Sequence, residues 1–199
     1  MSTQLQLDTS TNTLKINTGT EPVKVKNYEP LQVFNDLNPM LDKIMPDFDF
    51  NNPPMHPEEL SGRLKTTMKL YGGIGLAANQ CSLPFRVFVI GNGDESIACF
   101  NPRIISISEK KNEINEGCLS FPGMFLKIER PEFIEVEFEN ENGRTVRTKF
   151  SGVTARCFQH ELDHLNGIKF TSYVGKTSLL MAKKRQDKLK KKFTRRQAR

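Results

Sequence analysis

Long apolar runs, paired cysteines and histidines are all scarce in this chain. No stretch of its 199 residues approaches 18 consecutive apolar side chains, so no membrane span is expected. The first twenty residues contain no basic segment followed by an apolar run, so no signal peptide is expected. Cys81, Cys99, Cys118 and Cys157 are far apart and form no C-x-x-C pair. Without an export signal, that pattern argues against a disulfide framework and for the reducing cytosol. A cysteine with a special role there is a ligand or a nucleophile. There is no internal repeat and no sign of a second domain. With 37% hydrophobic and 26% charged residues, the chain can bury one sizeable core.

Acidic residues are nearly missing from one place. Residues 183–199 carry ten Lys or Arg against a single Asp, a net charge of +9, whereas the rest of the chain sums to −3. The excess of +6 therefore belongs to the tail. Such a tail suits an anionic partner, RNA foremost, or is a solvated helix end.

Residues 1–30 are rich in Ser, Thr and Asn and read as a polar arm or an added edge strand. Residues 46–57 hold four prolines and form a loop, with Pro57 placed to open a helix. Leu60, Leu64, Met68 and Tyr71 then recur at helical spacing, and Gly72-Gly73 ends the run. A shorter helix is expected around Leu37–Met45. Residues 86–91 (RVFVIG) read as a strand, and 96–108 as an extended segment interrupted at Pro102. In 132–150, Ile134, Val136 and Phe138 alternate with Glu135, Glu137 and Glu139 before Asn142-Gly143, which predicts a hairpin with one buried face. A second helix is predicted over about 151–166, ended by Gly167. A third starts after Thr177 and enters the basic tail. The expected fold class is α+β, with short antiparallel strands around a central helix and a basic C-terminal helix.

Two of the three histidines, His160 and His164, lie four residues apart on that central helix, with Glu161 between them. Positions i and i+4 share a helix face, so both imidazoles can meet one metal ion while the carboxylate beside them moves protons. The segment after His164, LNGIKFTSYVGK, offers no His, Cys, Asp or Glu as a third ligand. Cys118, in EGCLS, is the best offer. With two histidines it would leave a fourth position open, which marks a catalytic site. Cys157 is the second candidate, because three helical residues turn it by about 300° relative to His160. Otherwise both cysteines are small core residues. In GIGLAANQ, 73–80, small residues permit close backbone approach and Gln80 supplies an amide. The segment lacks the lysine of a phosphate-binding loop.

GIGLAANQ, EGCLS and QHELDH, in this order over residues 73–167, resemble the three signature motifs of peptide deformylases, and a broader similarity runs over about 31–175. The resemblance implies a catalytic domain at 31–175, preceded by the arm at 1–30 and followed by the basic extension at 176–199. It implies one divalent ion on Cys118, His160 and His164, with Fe2+ as the native metal and Zn2+ or Ni2+ as substitutes. Glu161 would be the general acid–base, and Gln80 with the Leu119 N–H would stabilise the oxyanion. The reaction would be removal of the formyl group from N-formylmethionine of nascent polypeptides, releasing formate. Ile74, Gly75, Gly117, Phe121 and Cys157 are expected to bind the extended substrate, with Leu119 and His160 adding to the methionine pocket. Glu116, Arg130 and Asp163 are expected to support the ligands, Arg130 pairing with Glu116 or Asp163.

The basic helix resembles the extension by which bacterial deformylases dock on the ribosome, which implies an rRNA contact. A cytoplasmic setting in a bacterial or phage-infected cell follows, an organelle being the other setting. The Pro-rich loop resembles bacteriophage-type variants. Cys81-Ser82 departs from the family's usual apolar residue and Gly after Gln80. Two rival functions share these residues. One is a metalloprotease with an unusual thiolate ligand, the other a ribosome-binding protein with an inactive deformylase fold.

Overall fold

Strands β1 (Gln4–Asp8) and β2 (Thr13–Asn17) pair antiparallel in a two-stranded sheet of their own. Among the described residues the polar arm contributes this strand pair and no strand of the main sheet. The structure, a computed structural model, describes residues 4–8, 13–17, 27–92 and 95–197, with side chains over 27–92 and 95–192.

The helix expected at Leu37–Met45 is only a 3-10 turn, Pro39–Asp42. Asn38 Oδ1 accepts the Met40 N–H at 3.1 Å, as a cap does, and Leu41 is buried. The chain then leaves the helical conformation so that the Met45 N–H can reach the Leu165 carbonyl at 2.8 Å. Helix α1, Pro57–Leu70, follows the Pro-rich loop. Leu60, Leu64 and Met68 are fully buried, but Tyr71, expected on the same face, is 47% exposed and lies just past the helix end.

Strands β3 (Gly75–Ala77), β4 (Val87–Asn92) and β5 (Glu95–Ile107) follow. Next come β6 (Lys111–Gly117), β7 (Phe125–Pro131), β8 (Phe133–Glu139) and β9 (Thr145–Ser151). The main sheet is antiparallel throughout with order β3-β4-β5-β8-β9, while β6 and β7 form a separate hairpin. Pro102 does not interrupt β5. The ladder with β8 shifts register between Phe100 and Arg103, and Asn101 takes a φ of 49°. Proline cannot donate to the ladder, and this irregularity absorbs it. Gly143, at φ 70°, turns β8 into β9 as expected.

Helix α2, Gly152–Leu165, lies on one face of the sheet and α1 on the other. On the α2 side, Phe158 meets Phe88 edge to face at 5.0 Å between centroids. On the α1 side, Leu60 and Leu64 pack with Val87, Val89 and Phe100. Helix α3, Lys176–Gln197, packs Leu179 and Ala182 against Phe121, Met124 and Phe170. Among the described residues no helix is long and apolar enough to cross a membrane. The mixed α and antiparallel β architecture agrees with the α+β expectation.

Candidate metal centre

Helix α2 is bounded by two glycines in the left-handed region, Gly152 at φ 57° and Gly167 at φ 71°. Between them it is buried on nearly every side. His160 and His164 project toward the turn that follows β6, where Cys118 sits. The three side chains offer one ligand atom each, all within 4.8 Å of one another, the only such group of His, Cys, Asp and Glu among the described residues. Cys118 Sγ lies 3.2 Å from His164 Nε2. Metal–ligand bonds of about 2.0–2.3 Å would place such atoms at most about 4.5 Å apart, so one ion fits with little movement. Cys157, the other candidate ligand, instead directs its thiol at the Ile74 carbonyl, 3.2 Å away.

The orientation of His160 is set from behind. Its Nδ1 lies 3.0 Å from Glu116 Oε2, which leaves Nε2 for the centre. Glu116 also receives Arg130 Nε at 2.6 Å, Arg130 Nη2 at 3.0 Å and Arg156 Nη1 at 2.9 Å. Arg130 reaches Asp163 as well, at 2.7 Å, so it bridges both acids proposed as partners. Tyr173 completes the array: its hydroxyl donates to Asp163 at 3.1 Å and its ring lies 4.6 Å below the Arg130 guanidinium.

Burial raises the Glu116 pKa, but hydrogen bonds from His160, Arg130 and Arg156 outweigh it and hold the carboxyl at about 2. A folded-state pKa below the ordinary 4.5 contributes stability that is complete above that value and is lost as pH falls toward 2. Glu116→Gln should therefore flatten the acid side of the stability–pH curve between about pH 4.5 and 2. Denaturant unfolding at stepped pH measures this, and an unchanged acid limb would contradict it.

Glu161 stands on the cleft side of the helix. It is buried, and its Oε2 has no hydrogen-bond partner among the described residues. Burial is the main cause of its pKa rising to about 7, with the His160 charge opposing. An unpartnered buried carboxyl with that affinity can both take and give a proton near neutral pH. Gly75 of β3 makes room for it. A Cβ there would lie 2.3 Å from Glu161 Oε1 and 2.5 Å from Cys157 Sγ.

The Gln80 amide faces the centre from the other side. The Ala77 N–H donates to its Oε1 at 2.9 Å, which orients Nε2 toward Ser120 Oγ at 3.1 Å and Cys118 Sγ at 3.5 Å. The Leu119 N–H has no acceptor among the described residues. The Cys81-Ser82 departure also has a local reason to matter. Ser82 ends a 3-10 turn at φ 58°, a conformation that favours glycine, and its hydroxyl accepts from Asn38 Nδ2 at 3.1 Å.

The site opens on one cleft of about 600 Å³, with His164 buried behind its wall. Ile74, Gly75, Gly117, Leu119, Phe121 and Cys157 form part of its wall, together with Cys118, His160, Glu161 and Gln80. Phe121 and Cys157 are also packed into core clusters, so they serve both settings. Asp163 and Arg130 lie behind the ligands and not in the cleft wall. Sequence reasoning missed Arg156, Ser120 and Asn79. Arg156 precedes His160 by four residues, so helical spacing alone places it on the ligand face. It binds the Ile128 carbonyl at 2.6 Å and the Asn112 carbonyl at 2.7 Å, tying β6 and β7 to α2. Asn79 donates to the His164 carbonyl at 2.6 Å. No local pattern signals that contact across 85 residues.

Residues 30–179 match the family model described as polypeptide deformylase. A peptide deformylase of Thermotoga maritima is 40% identical over 123 residues, covering 62% of this chain and 75% of the relative. The crystal structure of a peptide deformylase from Legionella pneumophila superposes with a TM-score of 0.74 at 31% identity, over 85% of this chain and 98% of that one. A Met-Ala-Ser-bound class I type b peptide deformylase from Acinetobacter baumannii gives a TM-score of 0.69 at 29% identity, over 73% of this chain and 98% of that one. Three-fifths or more of the chain aligns in each comparison, and the matched span contains the whole Cys118–His160–His164 cluster. The chain belongs to the polypeptide deformylase family.

Proposed function

We propose that this protein hydrolyses the N-formyl group of N-formylmethionyl nascent polypeptides and releases formate. One observation carries the reading: the unpartnered Glu161 carboxyl shares a single cleft with Cys118 and His160 of the Cys118–His160–His164 cluster and with Gln80. Cys118, His160 and His164 would hold one divalent ion. When bound, that ion supplies Lewis acidity, lowering the pKa of water and polarising the formyl oxygen.

This chain's own groups perform the remaining tasks. Glu161 takes a proton from the attacking water and later delivers it to the leaving amine. Gln80 Nε2 and the Leu119 N–H meet the negative charge that develops on the formyl oxygen. The amide of Gln80 is already oriented by Ala77, so little reorganisation is needed. β3 is an edge strand of the main sheet, with no strand beside it among the described residues on the side away from β4, and an extended peptide can add there with Gly117 facing it. Ile74, Leu119, Phe121 and Cys157 suit the methionine side chain. We assign this chemistry to residues 31–175, acting in the cytoplasm.

The thiolate suits Fe2+ and Zn2+ alike, and we take Fe2+ as the native ion on the family resemblance, with Zn2+ and Ni2+ able to replace it. Anaerobic assays of iron-loaded protein on formyl-Met-Ala-Ser should show rapid formate release, with no cleavage of unformylated Met-Ala-Ser. Peptide-bond cleavage of the unformylated peptide would point to a protease. No formate from any metal form would point to an inactive binding module.

The basic extension at 176–199 is assigned to rRNA phosphates on the ribosome. Binding to ribosomes should weaken steeply with salt, by a factor of about 10³ or more from 50 to 200 mM if six or more phosphates are engaged. Ribosome co-sedimentation across a salt series measures this. Salt-independent binding, or equal low-salt binding after neutralising the tail lysines, would refute it.

A further inference from the structure

Helix α3 has two unlike sides. Leu179, Ala182, Gln186 and Leu189 recur at helical spacing and form the stripe nearest the body, from buried Ala182 through half-buried Gln186 to Leu189, which is 42% exposed at its far end, while Lys183, Lys184, Arg185 and Lys188 point to solvent. The stripe does not merely cover core. Ala182 is 5% exposed and packs, with Leu179, in the cluster that contains Phe121 and Met124. Gln186 Nε2 donates to the Pro122 carbonyl at 2.9 Å. A Cβ on Gly123 would lie 3.8 Å from Leu189 Cδ1 and 3.9 Å from Gln186 Cγ. Phe121, Pro122, Gly123 and Met124 all line the cleft that holds Glu161. This segment is built from tight turns, with the Phe121 N–H on the Cys118 carbonyl at 2.9 Å and Gly123 at φ 77°. Its inner side faces the cleft, and α3 supports its outer side.

We infer that α3 is a positioning element for substrate binding. Gln186 and Leu189 hold the 121–124 wall of the cleft from outside, so the basic helix shapes the site as well as carrying charge. The inference rests on the deformylase reading for its substrate but concerns affinity, not chemistry. Glu161, Gln80 and both histidines are held by α2 and the 3-10 turn after β3; Cys118 packs on the same cluster as Leu179 and Ala182, whereas Gln186 and Leu189 meet Pro122 and Gly123. Loosening the wall therefore weakens ground-state and transition-state binding alike, which raises KM and leaves kcat.

The test uses full-length, metal-loaded protein and formyl-Met-Ala-Ser. Gln186→Ala/Leu189→Ala should raise KM by about 5- to 10-fold, with kcat within about twofold and metal content unchanged. Gln186→Glu keeps the stem but replaces the donor with an acceptor facing a carbonyl, and should raise KM by about threefold. Lys183→Ser/Lys188→Ser, on the outer side, should leave both constants alone. A thermal melt of each variant separates unfolding from a local effect, and the conservative Gln186→Glu change, at a half-buried position, keeps the test decisive if the double variant fails to fold. KM within twofold of wild type in folded Gln186→Glu and in the double variant would overturn the inference. So would an equal rise in the outer-side variant. Failure of the wild type to release formate would instead overturn the deformylase reading.

Discussion

Glu161→Ala should lower kcat for formate release from formyl-Met-Ala-Ser by roughly 1,000-fold, about 4 kcal/mol of transition-state stabilisation, while leaving the metal content intact. The geometry gives Glu161 no other task. Among the described residues its Oε2 is buried and unpartnered and it belongs to no ion pair, while His160 is oriented by Glu116 instead. A buried polar atom kept without a partner costs folding free energy, so the residue is destabilising where it stands. Removing it should accordingly raise the melting temperature or leave it unchanged even as the rate collapses. That opposition of stability and activity separates a proton shuttle from a structural carboxylate. Glu161→Gln supplies the finer test, because it preserves shape and burial but cannot accept the proton. Steady-state formate assays, metal analysis and thermal melts on the three proteins decide the matter. A rate within tenfold of wild type in a metal-loaded Glu161→Ala protein would remove Glu161 from the mechanism.

The parts of the site legible in the sequence are those written in local periods. His160, Glu161 and His164 share a helix because a four-residue spacing has one structural meaning. Gly75 and Gly117 were legible as places where a side chain would obstruct. The structure gives the former a concrete reason, the space taken by Glu161 and Cys157. The β6–β7 hairpin escaped notice because its outward positions are charged and its inward set includes a charged residue. In β7, Leu126, Ile128 and Arg130 point inward while Lys127 and Glu129 point out. A buried arginine disguises a strand's apolar face. It is tolerated because Glu116 and Asp163 neutralise it, which only the three-dimensional pairing reveals. Tyr71 was misplaced for the opposite reason. It continues the helical spacing, but Gly72-Gly73 frees the chain one residue early and turns the ring out to the cleft rim. Arg156 shows the remaining gap: its position was readable, but its partners in β7 and β6 lie 28 and 44 residues away.

Cys118→Ser should abolish the stabilisation that metal confers on this fold. The ligand candidates come from two separate elements, the turn after β6 and helix α2, so an ion on all three would tie the hairpin to the helix. Binding to the native state alone raises stability by RT ln(1 + [M]/Kd), about 4 kcal/mol when the free ion exceeds Kd by a thousandfold. A serine hydroxyl keeps the shape of the side chain but not its charge or softness. It leaves two neutral imidazoles, which hold a divalent ion far less tightly than a thiolate-containing set. The expected result is a rise in wild-type melting temperature on adding Zn2+ that is absent in Cys118→Ser, with metal affinity lower by at least about 100-fold in chelator competition. Cys157→Ser is the matched control. Cys157 donates to the Ile74 carbonyl and stands outside the ligand cluster, and a serine hydroxyl can make the same bond. That variant should keep the full metal response. If Cys157→Ser lost the response and Cys118→Ser kept it, the ligand assignment would be wrong. If both kept it, the two histidines would hold the ion without a thiolate, and the Cys-His-His set would be wrong.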